Sequence, residues 1–360
     1  MFPTSRLPLV AVDLGSHSIK LAQLFLSQER YELVNFGIMP LDPGTIIGGF
    51  IKDIDLVTDT LASLLKAEGV ESRLAIASVS GEDVFVKKVK VNAMSKEDLS
   101  EKVQEEALEH IPFGLDDVIV DFQIIRQLGQ KRKSRTDPEL KDKVEVLLVA
   151  VKKEMIQARM DILEGAGLKP VIMDLDVFAM LNALNMAENL EHLGCVVLID
   201  LGFSFTNINI INNGSTHFTR DFHFGGRYCT SKLETEFKIP LNEIENLKRG
   251  NIPDFIDEEI VKKIILESFD PIVEEVHNAI SKFKSSENYS IKQIFLTGGG
   301  ALLNGVDLYF THRLGVVTKI LNPFRNIKVD VKKFDASYVS EFAPLSTVAL
   351  GLAARRFDYK

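Results

Sequence analysis

The feature that most constrains this chain is a hairpin pattern near its start, VAVDLGSHSIKLAQL at residues 10–24. An apolar run ends in Asp13, a glycine turn follows, and a second apolar run begins at Ile19, which predicts two strands joined by a tight turn. The turn offers accessible backbone amides, hydroxyl donors and a lysine charge, and all three can bind phosphate. The candidate residues are Gly15, Ser16, His17, Ser18 and Lys20. Taken alone, the pattern also fits a purely structural turn.

The pattern occurs a second time, as VVLIDLGFSFTNINII at residues 196–211. An apolar strand again ends in an aspartate, Asp200, and the turn again carries a glycine and two hydroxyls, Gly202, Ser204 and Thr206. Two such hairpins indicate a duplicated domain with a cleft between its halves. We expect Asp13 and Asp200 to hold Mg²⁺ through water, because magnesium keeps part of its hydration shell.

A third glycine-rich stretch, IFLTGGGALLNGV at residues 294–306, predicts a strand, a turn and the start of a helix. That arrangement brings backbone amides and a helix N-terminus against a ligand. Its candidate ligand-binding residues are Gly298, Gly299, Gly300 and Asn304. Each pattern by itself also fits a purely structural turn between two elements. The occurrence of all three in this order favours a single nucleotide-binding site.

The ordered set resembles the actin-like ATPase superfamily, with two phosphate motifs followed by an adenosine motif. Within it, the chain is most similar to the PilM family of type IV pilus assembly proteins. The resemblance covers nearly the whole chain and includes EEALEHIPFGLDDVIVDFQII, VIMDLDVFAMLNA, the pair Gly225–Gly226 and FAPLSTVALGLAARRF. It implies an α/β, actin-like (ribonuclease H-like) duplicated fold with an inserted subdomain of the FtsA and PilM type.

The resemblance also implies a ligand and roles for further residues. The expected cofactors are ATP and Mg²⁺, and any hydrolysis is expected to be slow. Asp176 matches the residue that orients the attacking water, whereas we expect Asp174 to cap the helix that follows. Gly225 and Gly226 would bring backbone close to the nucleotide, and Lys232 would border its base or ribose.

The expected domains follow from the order of strand and helix patterns. Residues 1–81, 168–193 and 336–360 would form the first half, and residues 194–335 the second half, with 239–289 a helical lid. Residues 82–167 read as an inserted βαββα unit. Its helix should begin at a capping serine, Ser95, and residues 129–143 should be a solvated basic loop.

Composition limits where such a protein can act. The net charge of −9, from 42 basic and 51 acidic residues, argues against general affinity for nucleic acid or anionic membranes. No apolar run approaches the roughly 20 residues of a membrane span. The two cysteines, Cys195 and Cys229, lack metal-ligand spacing and read as small buried hydrophobes. We therefore expect a cytoplasmic protein that inserts into no membrane and binds no nucleic acid.

Three functions are compared. The resemblance favours an assembly protein that binds the cytoplasmic N-terminal peptide of a PilN-like inner-membrane protein, in a groove between the first half and the insertion. An FtsA-like division protein would need a membrane-targeting helix after the fold, and a small-molecule kinase would need a polar substrate site between the halves. Self-association stays open. Phe203 and Phe205 depart from the usual small turn residues, and either point into the core or crowd the γ-phosphate.

Overall fold

A computed structural model of the chain describes residues 8–81, 83–111, 114–127, 143–286 and 289–355. Its first part comprises three strands, a short hairpin, a helix and a further strand. These elements are β1 (Val10–Leu14), β2 (Ser18–Ser27), β3 (Arg30–Pro40), β4 (Ile46–Ile47), β5 (Phe50–Ile51), α1 (Ile54–Ala67) and β6 (Leu74–Val79). Strand β1 is buried throughout, because β2 pairs with it on one side and β6 on the other.

The insertion has a sheet and a core of its own. It comprises β7 (Val84–Asn92), α2 (Lys96–His110), β8 (Val118–Gln127) and β9 (Lys143–Lys152), and the antiparallel sheet has the order β7-β9-β8. The Ser95 side chain accepts a hydrogen bond from the Asp98 amide at 3.1 Å, so the predicted cap is confirmed. Of the loop expected at 129–143, all but Lys143 lies outside the described residues, and Lys143 begins β9.

Helix α3 (Lys153–Gly165) packs mainly on the first half, and Met155 in its first turn also meets the small sheet. Its Ile162 and Leu163 are fully buried in the same apolar cluster as Val57 and Leu61 of α1. The last helix of the range 82–167 therefore contributes to the core of the first half, because its apolar face covers the first sheet.

The chain then completes the first half and builds the second. The remaining elements are β10 (Lys169–Leu175), α4 (Asp176–Ala187), α5 (Leu190–Leu193), β11 (Cys195–Leu201), β12 (Thr206–Asn212), β13 (Ser215–Phe222), α6 (Gly226–Phe237), α7 (Leu241–Lys248), α8 (Glu258–Glu267), α9 (Asp270–Ser286), β14 (Ile291–Thr297), α10 (Val306–Leu314), β15 (Thr318–Ile320), α11 (Ala336–Glu341) and α12 (Thr347–Ala353). Among the described residues, no helix is long and apolar enough to cross a membrane.

The two large sheets share one topology. The first has the order β10-β6-β1-β2-β3 and the second the order β15-β14-β11-β12-β13. In each, an antiparallel meander is extended by two strands that run parallel to its first strand. This equivalence confirms the duplication that the two hairpin motifs predict.

Helices α4 and α12 pack together between the sheets. They approach so closely that a Cβ on Gly351 would lie 1.8 Å from the Ala179 carbonyl oxygen. Apolar residues of both sheets join this cluster, including Ala11 and Val196. The C-terminal helix therefore packs back onto the first half, as expected. Helices α7, α8 and α9 of the predicted lid turn their apolar faces toward the second sheet.

Candidate functional site

The first hairpin holds its acid and its lysine side by side. Asp13 and Lys20 are cross-strand partners, and the Lys20 Nζ lies 3.2 Å from the Asp13 Oδ2. A Cβ on Gly15 would lie 2.6 Å from that Nζ and 3.1 Å from the Ser18 carbonyl oxygen, so a side chain here would displace the Lys20 ammonium and crowd the turn. Ser18 is buried, while Ser16 is partly accessible. Each predicted residue thus lies at the tip or directly beside it.

The second hairpin turn is fastened to the N-terminus of α6. The Gly226 and Arg227 amides donate to the Gly202 and Phe203 carbonyls, both at 2.9 Å. A Cβ on Gly225 would lie 2.5 Å from the Gly202 oxygen. The sequence predicted that these glycines bring backbone to a ligand. The Gly226 amide instead donates to the hairpin turn. The two glycines therefore allow the turn and the start of α6 to pack closely.

The two hydroxyls of the second turn have different surroundings. Thr206 is fully buried, and its hydroxyl donates to the Phe224 carbonyl at 2.7 Å. This bond fixes β12 to the segment before α6, so Thr206 has a structural role in place of the predicted phosphate contact. Ser204 is partly accessible and stays a candidate donor.

The third glycine turn meets the second hairpin at Asp200. Gly298 has a φ of +81°, and a Cβ there would lie 2.4 Å from the Asp200 Oδ1. Gly300 is packed against Leu201, with 2.6 Å between its would-be Cβ and the Leu201 Cβ. Gly299 is exposed and would meet nothing within 4 Å. The turn therefore offers one open backbone position toward the cleft.

The predicted helix start at these glycines is displaced along the chain. Residues Gly299–Leu302 form a 3₁₀ turn, and α10 begins only at Val306, after the exposed Asn304. The prediction of a helix N-terminus directly after the glycines was therefore wrong. Gly298 and Gly305 both have positive φ, which turns the chain twice before the helix can begin.

Three carboxylates influence one another across the cleft. Burial, then the charges of Asp13 and Asp176, raise the pKa of Asp200 to about 7, against the lowering effect of Lys20. Burial likewise raises the pKa of Asp13, although Lys20 opposes it. Such a cluster suits a hydrated cation, which would relieve the repulsion between the acids. Within the described residues, no group of three or more potential ligands is placed to hold a metal directly.

Asp176 and Asp174 differ in their partners. Asp176 is the first residue of α4 and accepts a hydrogen bond from the Ser78 hydroxyl. Asp174 pairs with Arg355 at 2.9 Å and accepts from the Leu175 amide at 2.8 Å. No side-chain cap is formed at the start of α4, so the prediction that Asp174 caps it was wrong.

Aromatic rings join the two hairpin tips. The His17 ring centroid lies 5.2 Å from that of Phe203. His17 is partly buried, and this burial lowers its pKa. Phe205 is buried and lies against His223, with centroids 4.3 Å apart. Of the two predicted alternatives, Phe205 follows the first and points into the core, whereas Phe203 faces the cleft.

Sequence analysis missed a charged pair beside the second hairpin. The Lys248 Nζ contacts the Glu245 carboxylate and the Thr230 hydroxyl, each at 3.0 Å, and lies 6.0 Å from the Phe203 ring centroid. The available signal was the i,i+3 spacing of Glu245 and Lys248 in the region that the sequence analysis describes only as a helical lid. Their charges also act on the pKa of His17.

Lys232 borders a cavity on the outer side of α6. Its ammonium lies 5.0 Å from the Tyr228 ring centroid. The cavity has a volume of about 280 Å³ and is lined by Ser231, Lys232, Thr235, Glu236, Ile264 and Glu267. Lys232 lies six residues after Gly226, which is about 9 Å along the helix from the second hairpin. The cavity is therefore within a nucleotide's length of the hairpin.

A second cavity lies where the insertion meets both halves. It has a volume of about 200 Å³ and is lined by Val79, Ser80, Val84, Phe85, Val86, Leu175, Val177, Thr219, Arg220 and Asp221. We call this cavity the groove. The Asp221 carboxylate accepts a hydrogen bond from the Gly81 amide at 3.0 Å, and burial raises its pKa to about 6. This bond joins the second half to the segment that leads into the insertion.

The duplicated sheets and paired acid–glycine hairpins define an actin-like fold. Residues 11–357 match the family model described as type IV pilus assembly protein PilM. Because this match covers nearly the whole sequence, the chain belongs to the PilM family.

Solved structures of similar fold agree with this membership. The PilM-PilN type IV pilus biogenesis complex has a TM-score of 0.83 at 24% identity, covering 97% of this chain and 98% of the other. The ethanolamine utilization protein EutJ from Carboxydothermus hydrogenoformans has a TM-score of 0.56 at 17% identity, covering 98% and 91%. MreB5 of Spiroplasma citri bound to ADP has 0.52 at 14% identity, covering 97% and 95%. At these identities the likeness shows the fold.

Sequence relatives extend the same group. The cell division protein FtsA of Bacillus subtilis (strain 168) is 25% identical over 257 residues, which are 67% of this chain and 57% of FtsA. The ethanolamine utilization protein EutJ of Salmonella typhimurium is 25% identical over 155 residues, 42% of this chain and 48% of EutJ. The chain thus spans about half the length of the curated relatives it matches.

Proposed function

We propose that this chain is a cytoplasmic, ATP-binding component of type IV pilus assembly that binds the N-terminal tail of a PilN-like inner-membrane protein. Its recruitment to the membrane would depend on that partner. The observation that carries the proposal is the convergence of both hairpins and the third glycine turn on one cleft, in a member of the PilM family. Nucleotide binding and partner binding are supported by different parts of the chain.

The lysine side chains and backbone amides of the cleft suit a nucleoside triphosphate. Lys20 and Lys248 supply positive charge at the two hairpins, and phosphate oxygens would replace the carboxylates that they now contact. The glycine turn at Gly15 leaves backbone within reach of a phosphate. The open position at Gly299 and the cavity beside Lys232 leave room for the nucleoside.

The acids divide into two proposed roles. Asp13 and Asp200 lie at the hairpins and would hold hydrated Mg²⁺, which neutralises charge on the phosphates when bound. Asp176, which accepts a hydrogen bond from the Ser78 hydroxyl, would orient a water molecule. This division supports nucleotide binding with slow hydrolysis. Magnesium would also lower the pKa of the neighbouring carboxyls, because its charge favours their ionised form.

The groove has the composition of a peptide site. Most of its lining is aliphatic or aromatic, and Ser80, Thr219, Arg220 and Asp221 add polar groups at one side. Strand β7, whose residues Val84–Val86 line the groove, is an edge strand of its sheet. An extended peptide can bind such an edge through backbone hydrogen bonds and place alternate side chains in apolar pockets.

The same contacts support sensitivity to nucleotide. The groove is lined by the first half, the insertion and β13 of the second half, so a change in the angle between the halves would alter its shape. The charge of Asp176 also acts on Asp221, which lines the groove. A nucleotide changes peptide affinity only as far as it prefers one arrangement of the halves.

The test is a titration of the full chain with a synthetic N-terminal tail of a PilN-like protein, followed by fluorescence anisotropy. We expect saturable binding, with a Kd that changes at least about fivefold when ATP and Mg²⁺ are added. Val86→Asp should abolish binding, because it places a charge in the apolar groove. The matched control is Ile119→Asp, at a position 45% exposed on β8 of the same sheet.

Three results would contradict the proposal or a part of it. One is an intact, folded chain that ignores the tail but binds a division-filament protein, which would favour the FtsA-like alternative. Another is equal loss of binding in Val86→Asp and Ile119→Asp, which would place the peptide elsewhere. Absence of any thermal stabilisation by ATP and Mg²⁺, in protein freed of bound nucleotide, would remove the nucleotide part of the proposal.

A further inference from the structure

Arg159 is a buried cation to which the proposed function assigns no role. It lies on α3 with 3% of its surface exposed, and the described residues include no carboxylate that pairs with it directly. Its guanidinium donates to three main-chain carbonyls, those of Ser78 at 3.0 Å, Met155 at 3.0 Å and Gly49 at 3.3 Å. Because the donors form a rigid planar fork, they hold these three segments at a fixed spacing.

On one side, Arg159 reaches the nucleotide cleft through Ser78. The Ser78 carbonyl accepts from Arg159, and the Ser78 hydroxyl donates to Asp176. The positive charge of Arg159 also attracts the carboxylates of Asp176 and Asp13. A movement of the guanidinium would therefore change both the position and the electrostatic environment of Asp176.

On the other side, Arg159 reaches the groove through its own helix. Met155, one turn earlier, is buried in an apolar cluster with Val79 and Val177, and the partly buried Val84 and Val86 pack against this cluster. Four of these residues also line the groove: Val79, Val84, Val86 and Val177.

The turn at Gly49 completes the connection. A Cβ on Gly49 would lie 2.7 Å from the carbonyl oxygen of Ser80, which lines the groove, and 3.2 Å from the Met155 Cε. Gly49 has a φ of +80° and accepts the third hydrogen bond of Arg159. The wall of the groove, the first turn of α3 and the guanidinium are thus in continuous contact.

We propose that Arg159 is the positioning residue through which the peptide groove and the nucleotide hairpins affect each other. A peptide that displaces Met155 shifts α3, and the rigid fork carries the shift to Ser78 and so to Asp176. This coupling rests on the proposed function, because it requires both ligands. It must also be reciprocal, so that peptide changes ATP affinity by the same factor as ATP changes peptide affinity.

The experiment measures a coupling ratio, the peptide Kd without nucleotide divided by the peptide Kd with saturating ATP and Mg²⁺. We expect a ratio that differs from one by at least about fivefold in the natural chain. In Arg159→Met the ratio should fall to one within about 1.5-fold in a chain that still binds both ligands, because the fork that joins α3 to Ser78 is lost. Arg159→Lys should also lose the coupling, since it keeps the charge but not the fork.

Arg159→Met could fail to fold because Arg159 is buried, so a second variant and a control test the same coupling without changing Arg159. Ser78→Ala keeps the carbonyl that Arg159 binds and removes only the hydroxyl that reaches Asp176, so its ratio should fall as well. Arg73→Met is the matched control, because Arg73 is accessible and donates to the Gly167 carbonyl at 3.4 Å. Its ratio should equal that of the natural chain, which also separates coupling from general destabilisation.

The outcomes distinguish this inference from the proposed function. A natural ratio in folded Arg159→Met or in Ser78→Ala overturns the role of Arg159. A natural chain that binds peptide and ATP with a ratio of one also overturns it, while peptide binding itself stands. A natural chain that binds no peptide overturns the proposed function and the coupling together. Loss of the ratio in both variants, but not in Arg73→Met, supports the role.

Discussion

The His17 ring, at the tip of the first hairpin, lies 5.2 Å from the Phe203 ring at the tip of the second. The two halves of the duplicated fold therefore meet through side chains at the place where both phosphate motifs converge. The Lys248 ammonium lies 6.0 Å from the ring centroid of the same phenylalanine. In the proposed binding mode, phosphate groups would enter between the tips and separate His17 from Phe203, so this contact would compete with the nucleotide.

Phe203→Ala should therefore strengthen binding of ATP with Mg²⁺. Aromatic contacts of this kind contribute about 0.5–1.5 kcal/mol, so we expect an affinity about two- to tenfold higher by isothermal titration calorimetry. Phe25→Ala, at a position 42% exposed on β2, is the control and should leave the affinity unchanged. An unchanged or weaker affinity in Phe203→Ala would show that the ring supports the nucleotide.

Asp13→Ala and Asp176→Ala should separate metal binding from hydrolysis. Asp13 is proposed to hold hydrated magnesium. In Asp13→Ala, the ratio of the ATP affinity measured with Mg²⁺ to that measured with a chelator should therefore fall by at least about tenfold. Asp176→Ala should keep that ratio and lower single-turnover hydrolysis at least about tenfold. The exposed Asp42 provides the control, as Asp42→Ala. Equal loss of affinity in both variants would refute the assignment of Asp176 to water.

Asp200 should make the stability of the nucleotide-free protein depend on pH. Its pKa is raised from 3.8 to about 7, so between these values the folded state keeps a proton that the unfolded state has lost. The free energy of unfolding should therefore fall as pH rises through this window. Asp200→Asn should flatten that slope and raise stability at pH 8 by about 1–2 kcal/mol, measured by urea unfolding. Asp307→Asn, in the same half, is the control and should keep the slope. If Asp200→Asn also kept the slope, a group other than Asp200 would be its cause.

Gly351→Ala should strongly destabilise the fold. The added methyl would lie 1.8 Å from the Ala179 carbonyl oxygen, where α12 crosses α4 between the two sheets. Overpacking against backbone cannot be relieved by a side-chain rotation, so we expect a loss of about 3 kcal/mol or more in thermal unfolding. Gly114→Ala is the control, because its nearest neighbour would be an Asp117 carboxylate oxygen at 3.4 Å. A wild-type melting temperature for Gly351→Ala would mean that the helices are farther apart.

The sequence alone determined the order of strands and helices and the existence of two equivalent halves. These features have local causes. Apolar runs bounded by glycine predict strands such as β1 and β11, and helical spacing predicts α1, whose start is set by Asp53. The position of the hairpin tips is also local, because strand, turn and strand are adjacent in the chain.

The tertiary structure decided which of the predicted groups face the cleft. The Thr206 hydroxyl is taken by the Phe224 carbonyl and the Gly226 amide by the Gly202 carbonyl, so neither points to a ligand. Asp174 pairs with Arg355, which lies at the far end of the chain. No periodicity or motif records these partners, because each is set by how the sheets and helices pack.

The same reason explains what sequence analysis missed. Lys248 reads as one of many surface charges until α7 places it beside the second hairpin, and Arg159 reads as part of an amphipathic helix until three carbonyls surround it. Asp221 and Gly81 are 140 residues apart, yet they join the second half to the entry of the insertion. A local pattern specifies a strand or a turn, whereas a buried charge acquires its role only from distant backbone that folding brings to it.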